Sequence, residues 1–162
     1  LTSDKKVKDT DEGKRMIMAV EARGACYETS DGLLGMPMDC VFATIQEAAR
    51  AFKKGADINR GLLYEPIVVP LVVEGRTWKC DEYLDTDPVD HIDYRGVGNQ
   101  GNTVMRARPV FRDWRLVCEF DLIDKVMDVR TLLPIIERAG EFGGLCERRP
   151  RYGLFRTVVE VL

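Results

Sequence analysis

The sequence predicts an α+β fold in a single domain over residues 1–162, with a βαββαβ core decorated by extra β-hairpins. Three observations predict it. Val41, Ile45, Ala48, Ala49 and Phe52 recur at helical spacing and form an apolar stripe. Two β-prone runs, 91–97 and 103–110, flank Gly98, Asn99, Gln100, Gly101 and Asn102, the pattern of a long hairpin. The chain then reads strand, helix, strand to its end. With 162 residues, 45% hydrophobic and 31% charged, it can bury a core without staples. That balance excludes collagen, wholesale disorder and disulfide-rich mini-proteins.

Each element has a local reason. Residues 1–10 are polar and charged and read as a mobile arm. Thr10, Asp11 and Glu12 suit the positive end of a helix running to Arg23, and Gly24 ends it. A small hairpin follows, 25–28 and 33–36, turned by Asp31 and Gly32. Asp39 reads as the N-cap of the best helix, 41–52, and Gly55 as its terminator. The run 67–73 is β-branched and apolar, and Pro70 requires an edge position or a bulge there. Residues 79–90 are acidic and turn-rich.

Trp114, Leu116, Cys118, Phe120 and Leu122 alternate with Arg115, Val117, Glu119 and Asp121, the pattern of one half-buried strand. A helix follows across 128–139. Pro134 fits it only if the helix starts late, near Thr131, so that the proline lies in the first turn. Gly140 closes it, a Gly- and Arg-containing loop spans 141–152, and the last strand is 154–162. If a first strand precedes Leu1, this order is the ferredoxin-like plan.

Net charge is −3, which by itself argues against a nucleic-acid partner. The average hides an asymmetry. Residues 1–94 hold 12 basic and 18 acidic side chains, and residues 95–162 hold 12 basic and 9 acidic. In the second part Lys125 is the only lysine. Arginine is the better fork for phosphate and the better plane for stacking on bases.

The five cysteines, Cys26, Cys40, Cys80, Cys118 and Cys146, are widely spaced, and His91 is the single histidine. No zinc pattern results, and free thiols in a reducing compartment are expected. Neither a metal nor a cofactor is expected. No stretch has the ~18 apolar residues of a membrane span, so no membrane partner is expected and a cytoplasmic location is.

Two segments suggest a ligand. In the first, Gly143, Gly144 and Gly153 permit close backbone approach to an anion, Arg148, Arg149 and Arg151 can neutralise phosphates, and Tyr152 offers a stacking ring. The competing reading is a connecting loop with glycines in its turns and solvated arginines. In the second, Arg106 and Arg108 share a strand face with Arg95 on the neighbouring run. There the competing reading is pairing with Asp93 or Glu119. His91 is the only histidine available as a general acid or base, set against a structural or exposed role for it. Gly96, Gly98 and Gly101 spell GxGxxG, but a strand follows where a dinucleotide site needs a helix.

Three stretches also carry a resemblance: Ala25-Cys26-Tyr27 through Gly32-Leu33-Leu34-Gly35-Met36-Pro37 into the helix 41–52; Val104 to Phe111 with Trp114 following; and Ala139-Gly140-Glu141-Phe142-Gly143-Gly144-Leu145 with Arg149-Pro150-Arg151-Tyr152-Gly153-Leu154-Phe155. Together they resemble a family of mostly uncharacterised phage and prophage proteins and, more distantly, the RAMP superfamily of CRISPR backbone proteins. The resemblance implies a modified RNA-recognition-motif-like core, an RNA strand as ligand and, for a phage protein, the host cytoplasm. The Gly-rich loop departs from the family in carrying Cys146 and Glu147, and no aromatic stacking pair is identifiable.

The leading expectation is therefore a non-catalytic RNA or single-stranded nucleic-acid binding protein. A protein-interaction or self-assembling subunit of a phage assembly stands second. A metal-independent RNA endonuclease using His91 stands third.

Overall fold

The computed structural model describes residues 10–99 and 101–162. Most of the expected arm, residues 1–9, and Gln100 of the hairpin tip lie outside the described residues. The described chain is mixed α+β with several small antiparallel sheets. It divides into two compact units: Leu1–Gly35 with Pro70–Leu116, and Met36–Val69 with Val117–Leu162.

In the first unit the helix Asp11–Gly24 begins as expected, because the Thr10 hydroxyl accepts from Gly13 N at 3.0 Å. The small hairpin pairs Tyr27 with Gly35 and Glu28 with Leu34. Gly32 supplies the positive φ of its turn, 75°. The long hairpin, Ile92–Asn99 with Asn102–Pro109, is also as expected, and it sets Arg95 directly opposite Arg106. A third sheet places Val72–Val73 between Arg76–Thr77 and Trp114–Arg115.

The acidic stretch is helical rather than a set of turns. It forms Cys80–Thr86 and Pro88–His91. Cys80, Tyr83 and Leu84 recur at helical spacing and are buried, while Asp81, Glu82 and Asp85 face water. The Asp87 carboxylate accepts from Asp90 N and starts the second piece. The core of this unit collects Ala22, Leu34, Leu71, Val73, Trp78, Tyr83, Ile92 and Ala107.

The run 67–73 is two short strands, Val68–Pro70 and Val72–Val73. Pro70 ends the first, and Leu71 between them turns its N–H to Leu34 O at 2.9 Å. The alternating run 114–122 is likewise not one strand. Only Trp114–Arg115 and Asp121–Leu122 form ladders, with different partners: Val72–Val73 in the first unit and Leu62–Leu63 in the second. The chain leaves the first unit after Leu116, and the alternation persists across that exit without a common partner.

In the second unit the central helix is Met38–Ala49, starting three residues earlier than its apolar stripe suggests. Pro37, not Asp39, is its N-cap; Asp39 sits in the first turn and accepts from the Tyr64 hydroxyl at 2.6 Å. Gly55 opens a helix, Gly55–Gly61, instead of closing one. The stop is a 3₁₀ turn, Arg50–Phe52, followed by Lys53 at φ 57°. Val129–Arg138 is capped by Asp128, whose carboxylate accepts from Thr131 N at 2.8 Å. Pro134 is therefore inside the helix and not in its first turn. A π-turn, Ala139–Gly143, continues it past the expected stop at Gly140.

Residues 154–162, expected as the last strand, lie in no ladder. Among the described residues no sheet takes up their β-prone side chains. For this reason, and because 114–122 is split, no βαββαβ sheet is evident among the described residues. No described helix is long and apolar enough to cross a membrane.

Candidate nucleic-acid interface

The helix Val129–Arg138 and its π-turn deliver the chain to the glycine- and arginine-containing loop. The loop is pinned by its own backbone. Leu145 N donates to Gly153 O at 2.9 Å, Tyr152 N to Arg148 O at 3.1 Å, Gly144 N to Ala139 O at 2.8 Å and Phe155 N to Gly140 O at 3.0 Å.

The glycines explain how the chain comes so close to itself. A Cβ on Gly153, at φ 76°, would overlap the Leu145 carbonyl oxygen. A Cβ on Gly144, at φ 73°, would sit 2.9 Å from Tyr152 O. Gly143 packs against the Thr44 methyl. The close approach these residues allow is to their own chain, so they shape the loop.

The three loop arginines divide. Arg149 is fastened to the central helix: its guanidinium donates to Thr44 Oγ1 at 3.1 Å and lies 3.4 Å from Glu47. The buried Thr44 hydroxyl in turn bonds Gly144 O at 3.0 Å. Arg149 is thus a strut for the loop. Arg148 and Arg151 are exposed, and among the described residues neither forms an ion pair. Tyr152 beside them is 52% exposed. The loop therefore holds two guanidiniums and a ring outward from a braced backbone.

The second arginine group is neutralised where it stands. Arg95 pairs with Asp93 on its own strand. Arg106 binds Glu21 at 2.9 Å, and Arg108 lies 3.6 Å from the same carboxylate. Glu21 also accepts from Ala107 N at 3.1 Å. Burial alone would raise the Glu21 pKa, but the hydrogen bonds from Arg106 and Ala107 N and the two arginine charges hold it below the usual carboxylate value. Nothing in the sequence pattern marks Glu21, which meets the hairpin 85 residues away.

His91 is buried. Its Nδ1 donates to Tyr83 O at 2.8 Å, and Tyr94 is 37% exposed on the strand beyond. The imidazole serves the packing of the first unit, and a strand in solvent meets no general base there.

One feature the sequence reading missed is a shallow groove in the second unit, lined by Phe42, Asn59, Leu62, Leu63, Tyr64 and Pro66. Tyr64 packs against Phe42, ring centroids 4.9 Å apart, and against Phe120 at 5.9 Å. Its signal was available in Asp39, Phe42 and Gln46, which share one side of the helix Met38–Ala49. The loop contacts the opposite side, through Thr44 and Glu47. The groove and the arginines are thus served by different faces of one helix.

No protein-family model matches this chain, and no curated protein or solved structure matches it either. A functional reading therefore rests on the chain's own geometry.

Proposed function

We propose that the chain binds a single strand of nucleic acid, RNA in the first instance, through the loop 148–153. The observation that carries the reading is the division of labour within that loop. Arg149 is spent on bracing, and Arg148 and Arg151 are exposed beside Tyr152. Two unneutralised guanidiniums suit successive phosphates, and a neighbouring ring suits the base between them. Bracing lowers the ordering cost that a flexible basic loop meets on binding.

The hairpin arginines Arg95, Arg106 and Arg108 take a lesser part, because a phosphate must compete there with Asp93 and Glu21. The ferredoxin-like, RNA-recognition-motif-like plan would need residues 154–162 in a sheet, so the reading stands on the loop and not on a fold analogy. The endonuclease reading is set aside because the residue it relied on, His91, is buried in packing.

The test is a mobility-shift titration at low salt with unstructured single-stranded RNA, and with single-stranded DNA of the same sequence. The wild type shifts RNA, and Arg148→Ala with Arg151→Ala loses most of that shift. Arg149 is left in place, since its removal would loosen the loop and confuse the result. The absence of a wild-type shift with either strand would overturn the reading.

A further inference from the structure

The segment 154–162, Leu-Phe-Arg-Thr-Val-Val-Glu-Val-Leu, leaves the braced loop with β-prone side chains and, among the described residues, no partner strand. Phe155 N is held by Gly140 O at 3.0 Å. Beyond it, residues 156–162 make no hydrogen bond to any described residue. Val158 is 91% exposed and Val161 72%. An exposed, unpaired run of this kind is a template for another strand.

The sequence of the segment says which strand. Laid antiparallel on a second copy of itself with Val158 on the two-fold axis, it pairs Leu154 with Leu162, Phe155 with Val161, Arg156 with Glu160 and Thr157 with Val159. The opposite charges meet twice, once on each side of the axis. Shifting the register by one or two residues sets Arg156 against an apolar residue. On one face Phe155, Thr157, Val159 and Val161 then form a continuous apolar surface.

We propose that residues 154–162 form an antiparallel strand pair with the same segment of a second copy of this chain, centred on Val158. The contact is isologous, each copy offering the other the same segment, so it pairs two copies. It uses none of the residues assigned to nucleic-acid binding, so the two proposals stand or fall separately.

Charge reversal tests it, with sedimentation velocity as the readout across a micromolar concentration series. The wild type passes from monomer to dimer as concentration rises. Arg156→Glu sets Glu against Glu160 at both pairs, and Glu160→Arg sets Arg against Arg156. Each weakens the dimer by about 10-fold or more. The double variant R156E/E160R restores it, and so does mixing the two single variants, because each then supplies the charge the other lacks. All four positions of charge are exposed, so folding is preserved, and circular dichroism checks that. A wild type that stays monomeric throughout overturns the proposal. So does a dimer indifferent to the single reversals, or one that the double variant and the mixture fail to restore.

Discussion

The imidazole of His91 lies flat against the ring of Tyr83, centroids 3.9 Å apart and planes 9° from parallel. The same imidazole bonds the Tyr83 backbone oxygen, and the Tyr83 hydroxyl donates to Val110 O at 2.7 Å. These bonds tie the helical acidic stretch to the end of the long hairpin. His91→Ala is expected to cost about 2–4 kcal/mol, from the lost packing and the orphaned carbonyl. Urea unfolding measures this, and nucleic-acid binding at a temperature where the variant is folded should not change.

Burial pushes the Tyr83 phenol up to about 12. A folded value above the unfolded 10.0 means that its contribution to stability is complete below pH 10 and is lost as pH rises towards 12. Ultraviolet titration of the folded protein should show Tyr83 and the Asp39-bonded Tyr64 ionising late, and Tyr83→Phe should remove the component near 12 while leaving that of Tyr64.

Glu21 gives the opposite dependence. Its pKa is held below 4.5 in the folded state, so its contribution is present above that value and disappears as pH falls through the folded value. The urea midpoints of wild type and Glu21→Gln should differ near neutral pH and converge as pH falls through the folded value of Glu21, below the ordinary carboxylate range.

Pro134 lies in the sixth position of its helix, with an exposed ring and no N–H for the carbonyl of Arg130. Proline in a helix interior costs about 3 kcal/mol relative to alanine. Pro134→Ala should therefore raise stability by about 1–3 kcal/mol, read as a higher urea midpoint with an unchanged slope. A lower midpoint would show that the proline is needed for the π-turn that follows.

Gly153 tests the bracing. A side chain there would strike the Leu145 backbone and strain a residue at φ 76°. Gly153→Ala should release the loop, giving faster amide exchange at Leu145 and weaker nucleic-acid binding while Arg148 and Arg151 are both intact. Unchanged exchange at Leu145 would contradict the role given to this glycine.

Much of the local structure was legible in the sequence, because its causes are local. Thr10 caps its helix, Gly32 turns its hairpin, and the two runs around Gly101 pair as written. What was not legible depended on partners far along the chain. Residues 114–122 keep perfect alternation yet change units after Leu116, and alternation carries no information about which strand lies alongside. The acidic stretch carries turn-favouring aspartates on its solvent side, while the spacing of Cys80, Tyr83 and Leu84 marks a buried helical face.

The candidate site divides in the same way. That glycines and arginines would share one loop was evident from composition. That Arg149 would be a strut, and that Glu21 would neutralise Arg106 and Arg108, required Thr44, Glu47 and the first helix to be brought from 85 to 105 residues away.

The most direct test of the account is the salt dependence of single-stranded RNA binding, followed by fluorescence anisotropy for the wild type and for Arg148→Ala with Arg151→Ala. Each lost phosphate contact lowers the slope of log affinity against log salt by about 0.7 on a single strand. The account predicts binding by the wild type and a slope shallower by about 1.4 in the double variant. Equal slopes for the two proteins, or no binding by the wild type at low salt, would contradict it.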